Sequence, residues 1–399
     1  MIIDVCINQL IIMESFTKGL LITGLIILLL LSLKWVWIHL ATRNHGSFEG
    51  EKKEILARRD YLASGLLVPP SDVLARMPRS IGPQFQGEWA LYSCSMYAAA
   101  LVNIARLYPE TREESVRRIS QLIGIVLSPE LRRYDAMRWG EDPLEDLSSD
   151  VSHISYLSHL AWMIGGYRKI GGGPQYDDLY DELCETMNRR ILQSPVLNLP
   201  TYPEEAIYVP DMLVAIVALA EYARQHNGVY ASTVEKWKSL MLDHFVDPAT
   251  GLIQSFFWPE IPEAGMPVKG SYTALNCYYL TLVDPDLARD QYERLKQHFL
   301  KERPITGIKE YADWSPFLAF EIDAGLIVCG LSPTGTAFAA GSATFFRDTT
   351  LRRSILKTAE QAGATIRIGR KSHYLLADFL LVGEAIMLAM RTNVAASDN

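Results

Sequence analysis

The residues best suited to chemistry lie in residues 153–161 (HISYLSHLA), where an imidazole and a phenol interrupt an apolar helical pattern. Tyr156 and His159 are three positions apart, so a helix would present both side chains on one face. An imidazole titrates near neutral pH and can both donate and accept a proton. We therefore predict that His159 transfers protons and that Tyr156 lies beside it in the same site.

A second candidate is Asp211, which follows Pro210 and opens a strongly apolar helical run. A carboxylate at such a position can cap the helix. In an apolar cavity its pKa would rise, and it could then deliver a proton to a substrate. The two roles are compatible, because one oxygen can cap while the other faces a ligand. Glu204, in the long loop of residues 197–210, is a further catalytic candidate on the ground that such loops often carry function.

Aromatic side chains are frequent around these positions and would line a cavity. Their ring faces attract positive charge, which would suit a carbocation. The predicted substrate-binding residues are Trp89, Tyr92, Tyr202, Tyr208 and Trp258.

One short motif resembles a metal-binding pattern. Residues 177–181 (DDLYD) match the aspartate-rich magnesium sequence of some enzymes, but they follow a glycine-rich turn. Acidic residues in the first turn of a helix stabilise it through the helix dipole, and that is the interpretation we favour. We predict no metal and no cofactor.

The elements that would position these residues are helices almost throughout. Apolar residues recur with helical periodicity from about residue 50 onward, and proline and glycine punctuate the runs. About twelve helices of ordinary length predict an all-α fold, an (α/α)6 barrel in which inner and outer helices alternate around a cavity. An irregular α-solenoid is the competing architecture. The predicted helices are residues 51–64, 88–108, 112–127, 153–168, 176–193, 211–226, 231–245, 271–283, 286–302, 317–330, 335–346, 350–362 and 375–392.

The N-terminal part has a different character. Residues 19–41 are apolar except for Lys34 and end in an aromatic cluster, as expected of a single transmembrane helix. Basic residues are more frequent after this helix than before it, which places residues 42–399 on the cytoplasmic side. We predict an N-terminal tail (1–18), a transmembrane anchor (19–41), a linker with a leading helix (42–87) and a catalytic barrel (88–399).

Composition excludes some classes of function. The formal net charge of −8 argues against nucleic acid as a partner. The five cysteines are odd in number and scattered, without a C-x-x-C pair, so they indicate neither a zinc site nor a disulfide framework.

Four segments in order resemble the linalool dehydratase/isomerase family. That family is an (α/α)6 barrel that adds or removes water at an allylic alcohol without a cofactor. The resemblance implies that His159, in a Tyr-x-x-His-Leu block, belongs to the active site. It places Asp211 and, approximately, Tyr202 where the family has cysteines, and it implies a homo-oligomer with shared active sites. The four segments are residues 89–110, 139–147, 156–161 and 207–220.

Together these observations predict a membrane-anchored, cofactor-independent lyase, isomerase or cyclase. Its substrate would be an apolar alkenol or polyene, as in terpenoid metabolism. Two alternatives stay open. A carbohydrate-active α/α toroid would hold paired carboxylates facing one another across the cavity. A membrane-tethered α-solenoid scaffold would be an open arc with no enclosed site.

Overall fold

The structure is a computed structural model that describes residues 2–42, 45–78, 82–259, 267–314, 316–378 and 380–395, and only the backbone of residues 2–17. It is mostly helical, at 66%. In chain order the helices are α1 (Ile2–Thr42), α2 (Phe48–Leu66), α3 (Pro70–Ala75), α4 (Pro83–Leu107), α5 (Arg112–Val126), α6 (Pro129–Trp139), α7 (Ile154–Lys169), α8 (Asp177–Gln193), α9 (Val209–Gln225), α10 (Ala231–His244), α11 (Gly270–Leu280), α12 (Pro285–Phe299), α13 (Pro333–Phe345), α14 (Thr349–Gly363) and α15 (Leu381–Arg391).

Within the described residues, six helices form a closed inner ring. α4, α7, α9, α11, α13 and α15 each pack against the next, and α15 packs against α4. These helices are apolar on nearly every side; residues 212–222 of α9 are all buried. A helix that is hydrophobic all round must be buried, which explains its inner position. The closed ring contradicts the open arc of a solenoid scaffold.

The outer layer consists of helices with one apolar face. α5, α8, α10, α12 and α14 each pack on the outside of the inner helix that precedes them in the chain. α2, which falls in the predicted linker and leading-helix segment, lies outside the junction of α15 and α4. Alternation of inner and outer helices is the arrangement that the helical pattern predicts.

The prediction of an all-α chain is wrong, because the described residues include nine short strands, two of which replace a predicted helix. In place of the predicted helix over 317–330, residues Leu318–Glu321 (β5) and Gly325–Val328 (β6) form an antiparallel hairpin. Gly325 turns the chain with a φ of +78°, which glycine adopts without strain. Exposed and less exposed side chains alternate along both strands, so the relevant period here is two. The remaining strands are β1 (Ile207–Tyr208), β2 (Phe256–Phe257), β3 (Leu300–Lys301), β4 (Gly307–Lys309), β7 (Leu331–Ser332), β8 (Thr365–Ile368) and β9 (Lys371–Tyr374).

The strands gather where the inner helices begin. β3, β4, β7, β6 and β5 form one antiparallel sheet in that order, and β1 pairs with β2. β1 leads directly into α9, and β7 leads into α13. A Cβ on Gly270, the first residue of α11, would lie 1.9 Å from the carbonyl oxygen of Lys309 in β4. Only glycine permits this approach, so the sheet sits tightly on the start of α11.

A largely buried set of charged residues, named here the ring-closing network, joins α2 to α14 and α15. Glu51, Glu54 and Arg58 of α2 bind arginines and glutamates of α14 and α15. These contacts tie the outer helix α2 to the last inner helix. The other members are Arg352, Glu360, Glu384 and Arg391.

Helix α1 itself projects from the barrel. Its segment Lys18–Leu40, of 23 residues, is long and apolar enough to cross a membrane, and only 6% of the apolar window is buried. A signal sequence near an N-terminus has the same properties, so this helix alone is weak evidence for a membrane protein.

Candidate active site

Asp211 lies in the first turn of α9 with both carboxylate oxygens engaged. The hydroxyl of Tyr92 donates to Oδ1 at 2.5 Å, and the hydroxyl of Thr201 donates to Oδ2 at 2.6 Å. The N-cap residue of α9 is Tyr208, so Asp211 does not cap the helix. Burial raises the pKa of Asp211 and the charge of Asp323 adds to this, whereas the two hydroxyls oppose the rise. A carboxylic acid held in this way is suited to donating a proton.

A second carboxylate, Glu88, lies in the second turn of α4. Arg138 of α6 donates to Glu88 Oε2 at 3.2 Å, and the Tyr202 hydroxyl donates to the same oxygen at 3.0 Å. The Arg138 guanidinium also stacks on the Tyr202 ring, 4.0 Å from its centre. Burial raises the pKa of Glu88; Arg138 lowers it, and the charge of Asp211 raises it. The two carboxylates are therefore close enough to repel each other.

A third carboxylate, Asp323, reaches this end of the ring from the turn between β5 and β6. It is hydrogen-bonded to the hydroxyl of Tyr272 in α11. Its side chain is exposed. The protein nevertheless surrounds it closely enough to raise its pKa, with Lys269 acting in the opposite direction. Lys269 is itself bound at 2.6 Å by Glu321 of the same hairpin.

Aromatic rings line the entrance to these carboxylates. The Tyr208 ring lies 5.8 Å from that of Tyr202 and 6.1 Å from those of Phe256 and Tyr272. The side chains of Tyr202, Tyr208 and Phe256 are partly exposed, and that of Tyr272 is buried. Tyr92 contacts Asp211 directly, and Tyr202 and Tyr208 lie in the same cluster; their role in binding substrate stays a prediction.

The other two aromatic residues predicted to bind substrate lie elsewhere in the structure. Trp89 is partly buried and packs against the hydrophobic core. Trp258, just after β2, is 41% exposed.

His159 lies one layer deeper, inside the ring. Its Nδ1 is 2.8 Å from the hydroxyl of Ser95, and its ring centre is 4.3 Å from that of Tyr92. Its Nε2 is buried without a hydrogen-bond partner. Burial lowers the pKa of His159 to about 3, because the protein interior disfavours its charged form. The imidazole is therefore neutral at physiological pH, and it touches the cluster through the Tyr92 ring.

Two predicted catalytic residues are not brought to this cluster. The hydroxyl of Tyr156 is buried and donates to the backbone carbonyl of Val126, at the end of α5, at 3.0 Å. It therefore faces the outer layer, while His159 faces α4. Glu204 is exposed in the loop before β1, at a φ of +59°.

The sequence reasoning missed Glu88, Arg138, Thr201 and Asp323. Glu88 is an acid in the second turn of an apolar helix, next to Trp89, and this is a weaker signal than the first-turn position of Asp211. Asp323 was hidden inside the predicted helix over 317–330. Arg138 lies on a short helix whose partner is 50 positions earlier in the chain, and no local pattern reveals such a pairing.

One group of described residues has the geometry of a cation site. His45, Glu54 and Glu360 place potential ligand atoms within 4.8 Å of one another. Both carboxylates, however, already bind arginines of the ring-closing network: Glu54 binds Arg391 at 2.8 Å, and Glu360 lies 3.6 Å from Arg58. The arginines supply the positive charge that a metal would bring, so these residues do not fit a metal site. Absence of a metal and of a cofactor stays a prediction.

Glu310, just after β4, gives the site a pH-dependent support. Its carboxylate accepts hydrogen bonds from the backbone nitrogen and the hydroxyl of Ser271, which precedes Tyr272. Burial raises its pKa to about 7, from an ordinary 4.5.

This raised pKa predicts a pH-dependent stability. Folding favours the protonated form of Glu310. Its contribution to the free energy of unfolding is therefore fully present below pH 4.5 and is lost as the pH rises through about 7. The unfolding free energy of the wild-type protein should decrease between pH 5 and pH 8. In Glu310→Gln this decrease should be smaller by about 1–3 kcal/mol. Urea unfolding at both pH values measures this, with Glu293→Gln, an exposed acid of α12, as control. An unchanged pH dependence would contradict the assignment.

Comparisons with known proteins identify the fold. No protein-family model matches the chain, and no curated protein matches it in sequence. Several solved structures are similar, among them the following two. A glycoside hydrolase of family 105 from C. acetobutylicum has a TM-score of 0.50 and 11% identity, covering 75% of this chain and 92% of its own. An unsaturated glucuronyl hydrolase specific for heparin has a TM-score of 0.52 and 11% identity, covering 90% and 96%. Both are α/α-toroid glycoside hydrolases, and the chain shares their fold.

These similarities correct the family resemblance drawn from the sequence. The relationship to linalool dehydratase/isomerase is wrong, since the similar structures are glycoside hydrolases. The segments that suggested it are largely inner-ring helices, whose apolar pattern any α/α toroid needs. The Tyr-x-x-His-Leu block illustrates this, because Tyr156 serves packing between α7 and α5.

The predicted reaction and the predicted substrate, which depended on that resemblance, are also wrong. A lyase, isomerase or cyclase for terpenoids, with an apolar small molecule as its partner, is contradicted by neighbours that act on carbohydrates. The carbohydrate-active alternative agrees with them better.

Proposed function

We propose that this protein is a glycoside hydrolase whose active site is the end of the ring where Asp211, Glu88 and Asp323 meet. The observation that carries the proposal is a pair of buried acids near the same end of two inner helices. Asp211, in the first turn of α9, has a raised pKa, and Glu88, in the second turn of α4, acts on it as a second carboxylate. Glycosidic bond cleavage typically uses two carboxyl groups, one of them protonated. The shared fold with two glycoside hydrolases supports the same reaction class.

Asp211 is the proposed proton donor to the leaving oxygen. Its two hydroxyl partners fix its orientation, and burial favours the protonated acid. Asp323 is the proposed base that activates water, because it is exposed at the entrance, whereas Glu88 is bound by Arg138 and Tyr202. Glu88 then holds Arg138 in place beside Asp211.

The other residues of the cluster position these groups. Tyr92 orients Asp211, and the neutral ring of His159 packs against Tyr92, so His159 is a positioning residue. The rings of Tyr202, Tyr208 and Tyr272 form a wall on which the face of a sugar can rest.

The proposal is tested by incubating the protein with a panel of oligosaccharides and following new reducing ends by chromatography. We expect release of a sugar by the wild-type protein. A panel that spans neutral and acidic glycans and gives no product would overturn the proposed function.

The alkaline limb of the pH profile gives a sharper test of Asp211. kcat/KM should fall as the pH rises through the pKa of Asp211, because the donor must be protonated. Tyr92→Phe removes a hydrogen bond that favours the ionised carboxylate, so the pKa should rise and the limb should move to higher pH by roughly 1 unit. Kinetics from pH 4 to pH 9 measure the shift. Tyr97→Phe, a buried tyrosine of α4 that contacts Arg59 and Arg118 instead, is the control. A limb that stays in place or moves down would contradict the role of Asp211.

We also propose that α1 anchors the protein in a membrane with the active site facing away from the bilayer. The chain leaves α1 near the last residues of the inner helices: Tyr108, after α4, donates to the carbonyl of Phe48, and Arg391 at the end of α15 binds Glu51. The carboxylates of the site lie at the opposite end, where the inner helices begin. This arrangement suits a soluble carbohydrate. Fractionation of the full chain, with and without residues 1–41, tests the anchor.

A further inference from the structure

The distribution of charge in the candidate active site bears on which sugar it accepts. Of the three carboxylates at the entrance, Asp211 interacts electrostatically with both Glu88 and Asp323. The cations that act on them are Arg138 and Lys269. Each cation already binds a carboxylate: Arg138 binds Glu88 at 3.2 Å, and Lys269 binds Glu321 at 2.6 Å.

Among the described residues, one charged group of this region has a buried atom without a partner, Nε of Arg138, while the other two nitrogens of that guanidinium bind Glu88. The unpartnered atoms on α11 belong to neutral side chains. The hydroxyl of Tyr279 is buried without a hydrogen-bond partner. Burial raises the pKa of Tyr279, and the charge of Asp211 adds to the rise; Tyr279 in turn contributes to the raised pKa of Tyr92. Tyr272, Asn276 and Tyr279 are spaced four and three residues apart on α11, so they share one face of that helix. Asn276 is 2% exposed, and both ends of its amide lack partners.

We infer that the sugar residue bound beside Asp211 is uncharged, recognised through its hydroxyls by Tyr279 and Asn276 and through its face by the aromatic wall. This inference rests on the proposed function and names its substrate class. Buried polar groups without partners cost free energy, and sugar hydroxyls can donate and accept to satisfy them. A uronate would bring a further negative charge to a group of carboxylates whose cations are already paired, and like charges in such a site are costly.

Matched substrates that differ only at C6 test the inference. We would measure kcat/KM on para-nitrophenyl glucoside against glucuronide, and galactoside against galacturonide, in both anomeric forms. The wild-type protein should prefer the neutral member by about tenfold or more. Glu88→Gln leaves Arg138 without its carboxylate, so the ratio should move toward the uronide by roughly tenfold. Glu235→Gln, which removes an exposed acid of α10 paired with Lys238, should leave the ratio unchanged.

Two tyrosine variants distinguish a contact with the sugar from a contribution to packing. Tyr279→Phe should raise KM for the neutral substrate by roughly tenfold, because a hydroxyl contact to the sugar is lost. It should not lower the melting temperature, since that hydroxyl has no partner in the protein. Tyr278→Phe changes a neighbouring tyrosine whose ring packs on Phe338, and it should leave KM unaltered.

The outcomes distinguish this inference from the proposed function. Equal or better turnover of the uronides, or a KM that Tyr279→Phe leaves unaltered, would overturn the inference while the hydrolase stands. If no glycoside of the wider panel is cleaved, the hydrolase fails, and binding of free sugars observed by ligand NMR then decides. Binding of glucose or galactose in preference to their uronates would support the inference. Binding of the uronates alone, or of none of these sugars, would overturn it.

Discussion

Asp211→Asn should reduce kcat/KM for glycoside cleavage by about 100- to 10,000-fold, the range that a positioned proton donor contributes. The substitution keeps the size of the side chain and removes its proton-donating group. The Tyr92 and Thr201 hydroxyls that bind Asp211 can each donate or accept, so both can pair with an amide. The loss should therefore appear in kcat with the fold intact. Initial rates on the best substrate of the panel measure it.

The control for this prediction is Asp286→Asn, an exposed aspartate in the first turn of the outer helix α12. It matches Asp211 in residue type and helix position but lies outside the ring, so activity should stay within about twofold of wild type. Thermal unfolding of both variants checks that each is folded. If Asp211→Asn retained more than a tenth of the wild-type rate, Asp211 would not be the proton donor. The next variant to test would then be Glu88→Gln.

Much of the helical framework follows from the sequence, because amphipathic helices carry their signal locally. The predicted helices at 112–127 and 231–245 lie within one residue of α5 and α10 at each end. Both have one apolar face and clear boundaries. The prediction for 317–330 is wrong because its apolar residues fit two periods. The sheet decides for strands, since β6 is joined through β7 to β4, which lies more than 20 positions before β7 in the chain.

The residues of the candidate site also fall into those that a local sequence pattern reveals and those that it does not. Asp211 and Tyr202 were found because an acid at a helix start and a tyrosine-rich loop are visible locally. Tyr156 was placed wrongly, because residues three apart on a helix differ by about 60° in direction, which separates the inner face from the outer one in a ring. Arg138 and Asp323 reach the site only through the closure of the ring and the β5–β6 hairpin. Ring closure is a property of the whole chain, and so is the meeting of three carboxylates.

The ring-closing network carries the largest expected effect on stability. Arg391 is fully buried and donates to Glu51 Oε2 at 3.0 Å and to Glu54 Oε1 at 2.8 Å. These bonds lower the pKa of both glutamates below the ordinary 4.5 despite their burial. Glu51 keeps a second partner in Arg352, but Glu54 would keep only Arg58 among the arginines at hydrogen-bonding distance.

Arg391→Met should therefore reduce the unfolding free energy by about 3–5 kcal/mol, because it leaves buried carboxylates without compensation. Urea unfolding at pH 7 measures the change. Arg367→Met makes the same substitution at an exposed arginine 4.0 Å from Glu54, and it should cost less than about 1 kcal/mol. The wild-type contribution should decrease as the pH falls below 4.5, where the glutamates of the unfolded chain become protonated, and it is lost fully only when the pH passes the lowered pKa values of the folded state. Equal losses for the two variants would show that burial of Arg391 adds nothing, and the ring would then be closed by apolar packing of α15 on α4 alone.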